Sequence, residues 1–191
     1  KGLALKGDTL YVSDIDRLVL IDTQTAEIKK TIAIDGAGFL NDVAITPDGV
    51  LISDSGGAKI YRYQNDKVSI WLESPRLDGV NGLMSTDGAL LVTTMSEGEL
   101  LSIDWHTKDM TTIAANMKNA DGIAILKDGA HIVSSWPGQL HHVTSGGATK
   151  TIIDSSDTPI FWNDFYLLND RLYVPNWVPG TLRQYEISTV D

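Results

Sequence analysis

Five times, at intervals of about forty residues, a polar or small pair leads into a short apolar run. The copies are Lys1-Gly2-Leu3-Ala4-Leu5, Asn41-Asp42-Val43-Ala44-Ile45, Asn81-Gly82-Leu83-Met84-Ser85, Asp121-Gly122-Ile123-Ala124-Ile125 and Asn163-Asp164-Phe165-Tyr166-Leu167. Counted from Gly2 to Asn41, Asn81, Asp121 and Asn163, the steps are 39, 40, 40 and 42 residues. A fixed period of that size marks a repeat architecture, in which each unit gains a core only by stacking on its neighbours. The second unit shows the pattern within a period. Apolar segments at Asn41 to Ile45, Val50 to Ser53, Lys59 to Tyr63 and Val68 to Leu72 are separated by Asp48-Gly49, Gly56-Gly57 and Asn65-Asp66. Such dipeptides favour tight hairpins, so each period reads as four short antiparallel strands. No segment carries a helical period.

Four strands per forty residues is the signature of a β-propeller blade. The fold class expected is therefore all-β, a single propeller over residues 1–191 with blades near 2–36, 41–75, 81–116, 121–155 and 163–187. The first four blades have outermost strands near Ile28–Ile34, Val68–Leu72, Met110–Ala114 and Thr149–Ile153, and the fifth has only three strands. This count, 4¾ blades, leaves a sheet edge open, which is an aggregation hazard. It leads to the expectation that the chain is the C-terminal part of a six-bladed propeller, lacking an N-terminal blade and the closing strand.

Bulk properties narrow the partners. A formal charge of −10 disfavours nucleic acid and anionic membrane surfaces, both of which need a cationic footprint. With no cysteine, disulfides, thiolate metal sites and cysteine nucleophiles are excluded. No apolar run approaches the roughly 18 residues of a membrane span. The first residue is Lys rather than Met, and no signal peptide is visible, so cytoplasmic and periplasmic or secreted locations stay equally open.

In a closed array the strand-leading residues share one axis, so Asn41, Asn81, Asp121 and Asn163 are expected to form an inner ring. The second strand of each blade runs back to the same level, which puts Asp14, Asp54, Thr94, Ser135 and Asn176 on an outer rim. Trp136 and Trp177 follow the last two as an apolar wall. Oxygen donors without sulfur or a histidine cluster suit a hard divalent cation, Ca²⁺ above all, because it accepts six to eight oxygens in loose geometry. Strand-leading Asn and Asp also cap turns through nearby backbone, which is the competing reading. His131, His141, His142 and His106 are placed off the axis, as packing or surface residues. No phosphate loop or Gly-x-Ser-x-Gly elbow is present.

Leu40-Asn41-Asp42 followed by Thr46-Pro47-Asp48-Gly49, then Val80-Asn81-Gly82-Leu83 and Ala120-Asp121-Gly122-Ile123, resembles the senescence-marker-protein/gluconolactonase group of six-bladed propellers. A more distant similarity is to paraoxonase-type and strictosidine-synthase-like proteins. The resemblance implies a divalent cation in the central tunnel, held by Asn81, Asp121 and a first-blade Glu that has no counterpart here, with Asn41 near substrate or metal. It implies a hydrolase of lactones or related esters acting on a small molecule, with Asp121 or Asp54 positioning or deprotonating water. Asn163, Asp14, Thr94, Ser135, Trp136 and Asn176 are the expected substrate contacts alongside Asn41. Gly38, Phe39 and Leu40 stand where some members carry a substrate-binding arginine, so aldonolactone specificity is not expected. A non-catalytic ligand- or protein-binding propeller is the alternative; a metal-free lyase is disfavoured by the retained Asn41, Asn81 and Asp121.

Overall fold

The computed structural model describes residues 1–187. Their strands form five consecutive antiparallel sheets in a propeller arrangement. The first blade holds β1 (Leu3–Lys6), β2 (Thr9–Asp14), β3 (Arg17–Asp22) and β4 (Ile28–Ala33). The second holds β5 (Leu40–Thr46), β6 (Gly49–Asp54), β7 (Lys59–Gln64) and β8 (Lys67–Glu73). The third comprises β9 (Val80–Ser85), β10 (Ala89–Thr94), β11 (Glu99–Asp104) and β12 (Met110–Ala114). The fourth comprises β13 (Ala120–Ile125), β14 (His131–Ser135), β15 (Gln139–Val143) and β16 (Thr149–Asp154). The fifth, among the described residues, has β17 (Tyr166–Leu168), β18 (Arg171–Asn176) and β19 (Thr181–Glu186). No helix among the described residues is long and apolar enough to cross a membrane.

Turn chemistry closes the hairpins. Asn65-Asp66 and Asn169-Asp170 have positive φ at both central positions, 51° and 61° in the first and 50° and 61° in the second. That is the turn whose twist matches paired strands, and Asn and Asp tolerate it best after glycine. Register corrects the repeat by one residue. Leu3 pairs with Val12 as Val43 pairs with Ile52, so Lys1 rather than Gly2 is the counterpart of Asn41. The axial second position is thus Gly2, Asp42, Gly82, Gly122 and Asp164. In the fifth blade the inner strand begins only at Tyr166, leaving Asn163 and Asp164 ahead of it.

The core lies between blades. Ala44, Leu51 and Ile60 of the second blade pack on Leu83, Leu90 and Val92 of the third. The same positions recur at each junction: Leu18 meets Val43, Val50 and Ile52, while Ala124, Ile132 and Leu140 meet Phe165, Leu172 and Val174. Hydroxyls then lock one blade to the next. Ser13, Thr93 and Ser134, one residue before the end of the second strand or its equivalent, each accept a hydrogen bond from their own inner strand, at Gly2 N, Gly82 N and Gly122 N (2.8–2.9 Å). Each donates in turn to a carbonyl at the start of the following blade, on Asn41, Asp121 and Asn163. In the second blade Ser53 accepts from Asp42 N at 2.8 Å, and Ser55 makes the forward bond to the Val80 carbonyl.

Thr93→Val keeps the shape of the side chain but leaves the buried Gly82 N–H and Asp121 carbonyl without this partner. It should lower stability by about 1–3 kcal/mol in urea unfolding, whereas the exposed Thr111→Val should stay within about 0.5 kcal/mol.

Candidate functional site

The axial positions are too close for five side chains. A Cβ on Gly82 would sit 2.1 Å from the Asp121 carbonyl, and one on Gly122 would sit 2.1 Å from Asp164 Oδ1. Glycine at these places lets the neighbouring blade's backbone or carboxylate approach. Asp42 and Asp164 fill the room so created. Asp42 Oδ1 accepts from Val43 N at 2.7 Å, and Oδ2 accepts from Leu83 N of the next blade, also at 2.7 Å. Asp164 Oδ1 accepts from Phe165 N at 2.7 Å. Asp121 Oδ2 accepts from the Asn163 amide at 2.9 Å.

Asn41, Asn81, Asp121 and Asn163 therefore meet in one place, together with Asp42 and Asp164. All six line a cavity of about 990 Å³ that opens between the first and fifth blades. The electrostatics disfavour the ionised acids. Burial pushes Asp42 up to about 7, against the pull of its two backbone N–H bonds and with further repulsion from Asp121. Burial also raises Asp164, helped by repulsion from Asp42 and Asp121. Asp121 is raised by burial too, offset in part by the Asn163 and Asn81 amides and the charge of Lys1. Asn81 is buried, and its Oδ1 has no hydrogen-bond partner. Carboxylate and amide oxygens are the donor type a hard cation takes, although both Asp42 oxygens, Asp121 Oδ2 and Asp164 Oδ1 already accept hydrogen bonds. Among the described residues, however, no three acidic or histidine side chains stand close enough together to hold a metal ion.

The outer rim does not join this cavity. Asp54 is fully buried, and its carboxylate accepts from the backbone N–H groups of Gly38 (2.9 Å), Phe39 (2.7 Å) and Gly57 (3.2 Å), which ties down two loops. Thr94 Oγ1 accepts from Glu99 N at 3.3 Å. Ser135 Oγ lies 3.1 Å from His141 Nε2. Asn176 donates to Thr181 Oγ1 at 3.0 Å. Asp14 is exposed on the rim beside Arg17. Trp136 is not on the cavity wall but packs at a tilt against Trp177, which is, with centroids 5.1 Å apart. Of the histidines, His141 is buried between Ser135 and Thr151, and burial lowers its basicity.

Asp42 and Asp164 are the site residues that the repeat alone did not single out. Their signal is the second position of each copy, which is either glycine or aspartate in register with the axis.

The fold and its axial site define a β-propeller with an acidic, amide-lined centre. No family model and no curated protein sequence matches the chain. Solved structures do match in fold. Nidogen, in its complex with laminin, is 14% identical, with a TM-score of 0.82 over 97% of this chain and 74% of nidogen's. Regucalcin from Agrobacterium tumefaciens, a calcium-binding protein, is 15% identical, with a TM-score of 0.77 over 97% of this chain and 70% of its own. Virginiamycin B lyase from Staphylococcus aureus is 13% identical, with a TM-score of 0.66 over 98% of this chain and 70% of the lyase. At these identities the likeness is one of fold.

The raised carboxyls give stability a definite slope with pH. Asp42, Asp121 and Asp164 all hold protons in the folded chain above the unfolded value of 3.8. The contribution of Asp42 is complete below that value and is lost as pH rises through about 7, and those of Asp121 and Asp164 have the same sign. In the absence of divalent cations, thermal unfolding should therefore give a Tm that falls between about pH 5 and about pH 8, and Asp42→Asn should flatten the fall.

Proposed function

We propose that this chain carries the site of a divalent-cation-dependent hydrolase of lactones or related esters, with Ca²⁺ as the favoured ion. The observation that supports it best is the Asn81 amide oxygen, buried, without a partner and on the wall of the same cavity as Asp121. In this reading Asn81 and Asp121 hold the cation and Asn41 lies beside them. A bound divalent cation would polarise the substrate carbonyl and stabilise the oxyanion that develops on it. The remaining steps belong to the protein. Asn163 orients Asp121 through its 2.9 Å hydrogen bond, so that the other carboxylate oxygen stays available. Asp42, its orientation held by two backbone N–H groups and its carboxyl pushed up to about 7, is suited to take a proton from the attacking water near neutrality. Asp121 is a weaker candidate for that step, because a carboxylate that ligates a cation is a poorer base. Asp54 takes no part, since its oxygens are used by the loop backbone.

A second reading is a non-catalytic propeller that binds a ligand or another protein. It is favoured by the fold likeness to nidogen, which is seen in complex with laminin, and by the absence of three converging acidic side chains among the described residues.

Isothermal titration with Ca²⁺ separates cation binding from turn-capping. Asp121→Ala or Asn81→Ala should weaken binding by at least about tenfold, whereas Asp14→Ala on the exposed rim should leave it unchanged. Equal binding in all four proteins would remove Asn81 and Asp121 from the ligand set. Hydrolysis of a panel of γ- and δ-lactones and aryl esters then distinguishes enzyme from binding module: Ca²⁺ binding without turnover of any of them favours the second reading.

A further inference from the structure

The second blade departs from the repeat at one place, and that place touches the axial site. In the first, third and fourth blades a single hydroxyl holds its own inner strand and also reaches forward to the next blade. In the second blade the two tasks are split. Ser53 keeps the first, and the forward bond passes to Ser55, whose Oγ donates to the Val80 carbonyl at 2.5 Å. Ser55 directly follows Asp54, the last residue of β6. Its counterparts after the second strands of the other blades are Ile15, Met95, Trp136 and Trp177, none of which carries a hydroxyl. A position where a sequence breaks its own repeat is a candidate for a role that the repeat does not need.

Ser55 is also the partner of Asn41, whose amide nitrogen donates to Ser55 Oγ at 3.2 Å. The direction of this bond follows from counting protons. A serine hydroxyl has one proton, and a backbone carbonyl can only accept. With that proton on the carbonyl of the fully buried Val80, Ser55 can only accept from Asn41, so the amide turns its NH2 toward Ser55. The opposite orientation would set the amide oxygen against Ser55 Oγ, with one proton to serve both that oxygen and the Val80 carbonyl. An acceptor left unserved in this way is costly. Asn41 Oδ1 is therefore left for the cavity that Asn41 lines with Asn81 and Asp121. The other axial amides are set alike. Asn163 gives its nitrogen to Asp121 Oδ2, and Asn81 keeps an unpartnered Oδ1.

We propose that Ser55 is a positioning residue of the axial site: it holds Asn41 with its oxygen toward the cavity and so adds an oxygen donor beside Asn81 and Asp121. Its consequence for binding rests on the cation-dependent reading above. A divalent cation is attracted by an amide oxygen, whereas the NH2 end of the same amide is a donor only and offers it nothing. Ser55 itself does not touch the cation or the substrate in this arrangement. It acts through Asn41, and through the Val80 carbonyl it ties that orientation to the junction between the second and third blades.

The test uses the intact polypeptide. In NMR spectra of the cation-free protein, the Asn41 side-chain NH2 should show a nuclear Overhauser contact to the Ser55 β-protons. Isothermal titration with Ca²⁺ then reads the consequence. Ser55→Ala should weaken binding about tenfold, and Ser55→Thr, which keeps the hydroxyl, should stay within about twofold of the unaltered protein. Loss of the Val80 bond by itself also loosens the junction, so an Asn41→Asp background separates the two effects. Aspartate presents an oxygen whichever way it turns, and there Ser55→Ala should change affinity by no more than about twofold. An equal loss in both backgrounds makes Ser55 a tie between blades only and overturns the proposal. So does Ca²⁺ binding that Ser55→Ala leaves unchanged in the Asn41 protein, or an Asn41 NH2 with no contact to Ser55. If the unaltered protein binds no Ca²⁺, the cation reading falls, and the NMR contact alone decides how Asn41 is held.

Discussion

The arrangement depends on one small interaction repeated from blade to blade: a serine or threonine hydroxyl that holds its own inner strand and reaches a carbonyl at the start of the next. Ser13, Thr93 and Ser134 make it directly. It pairs a buried N–H with a buried C=O across a junction where no sheet ladder can run, and an unpaired group of either kind costs about 1–3 kcal/mol. It also sets the distance between successive inner strands. Apolar contacts such as Leu51 and Ile60 on Leu83 and Leu90 supply most of the driving force but little geometric precision. The hydroxyls supply the geometry, and with it the approach of side chains at the axis.

That close approach explains the centre. With inner strands so near one another, Gly82 and Gly122 cannot carry side chains, and the carboxylates of Asp42 and Asp164 occupy what remains. Three acids then share a poorly solvated space with a few amides and one lysine. Ionising all of them without a cation is unfavourable, because burial and mutual repulsion act in the same direction. A protonated cluster and a cation-loaded cluster are two ways to satisfy the same constraint. Either one supplies what the unpartnered Asn81 Oδ1 lacks, an O–H donor in the first case and a cation in the second.

Much of the architecture was legible because hairpin turns and blade periods are local. Asn65-Asp66 and Asn169-Asp170 adopt the turn their composition favours, and the outer strands begin and end close to where alternation places them. The inner ring was legible for the same reason, since one residue per period faces the axis. The rim was not. Asp54, Thr94, Ser135 and Asn176 keep the period but bond loop backbone or nearby side chains: Asp54 holds the loop ahead of its blade, and the other three turn toward their own blade's third strand. Register was missed by one at Gly2, where the first copy lacks the amide or acid that leads the others.

By itself the sequence determined a repeat of short antiparallel strands, an acidic chain without thiols, and a set of strand-leading oxygens in phase. Those properties follow from spacing and composition, which need no knowledge of neighbours. Only the tertiary structure decided which oxygens meet. It joined Asp42 and Asp164 to Asn81 and Asp121, and it turned Asp54 away. It also left Leu3 and Leu182 facing an open cleft, although residues of the same type at the same period are buried elsewhere. The physical reason is that burial is a property of a junction between two blades, and no single blade's sequence records whether its partner is there.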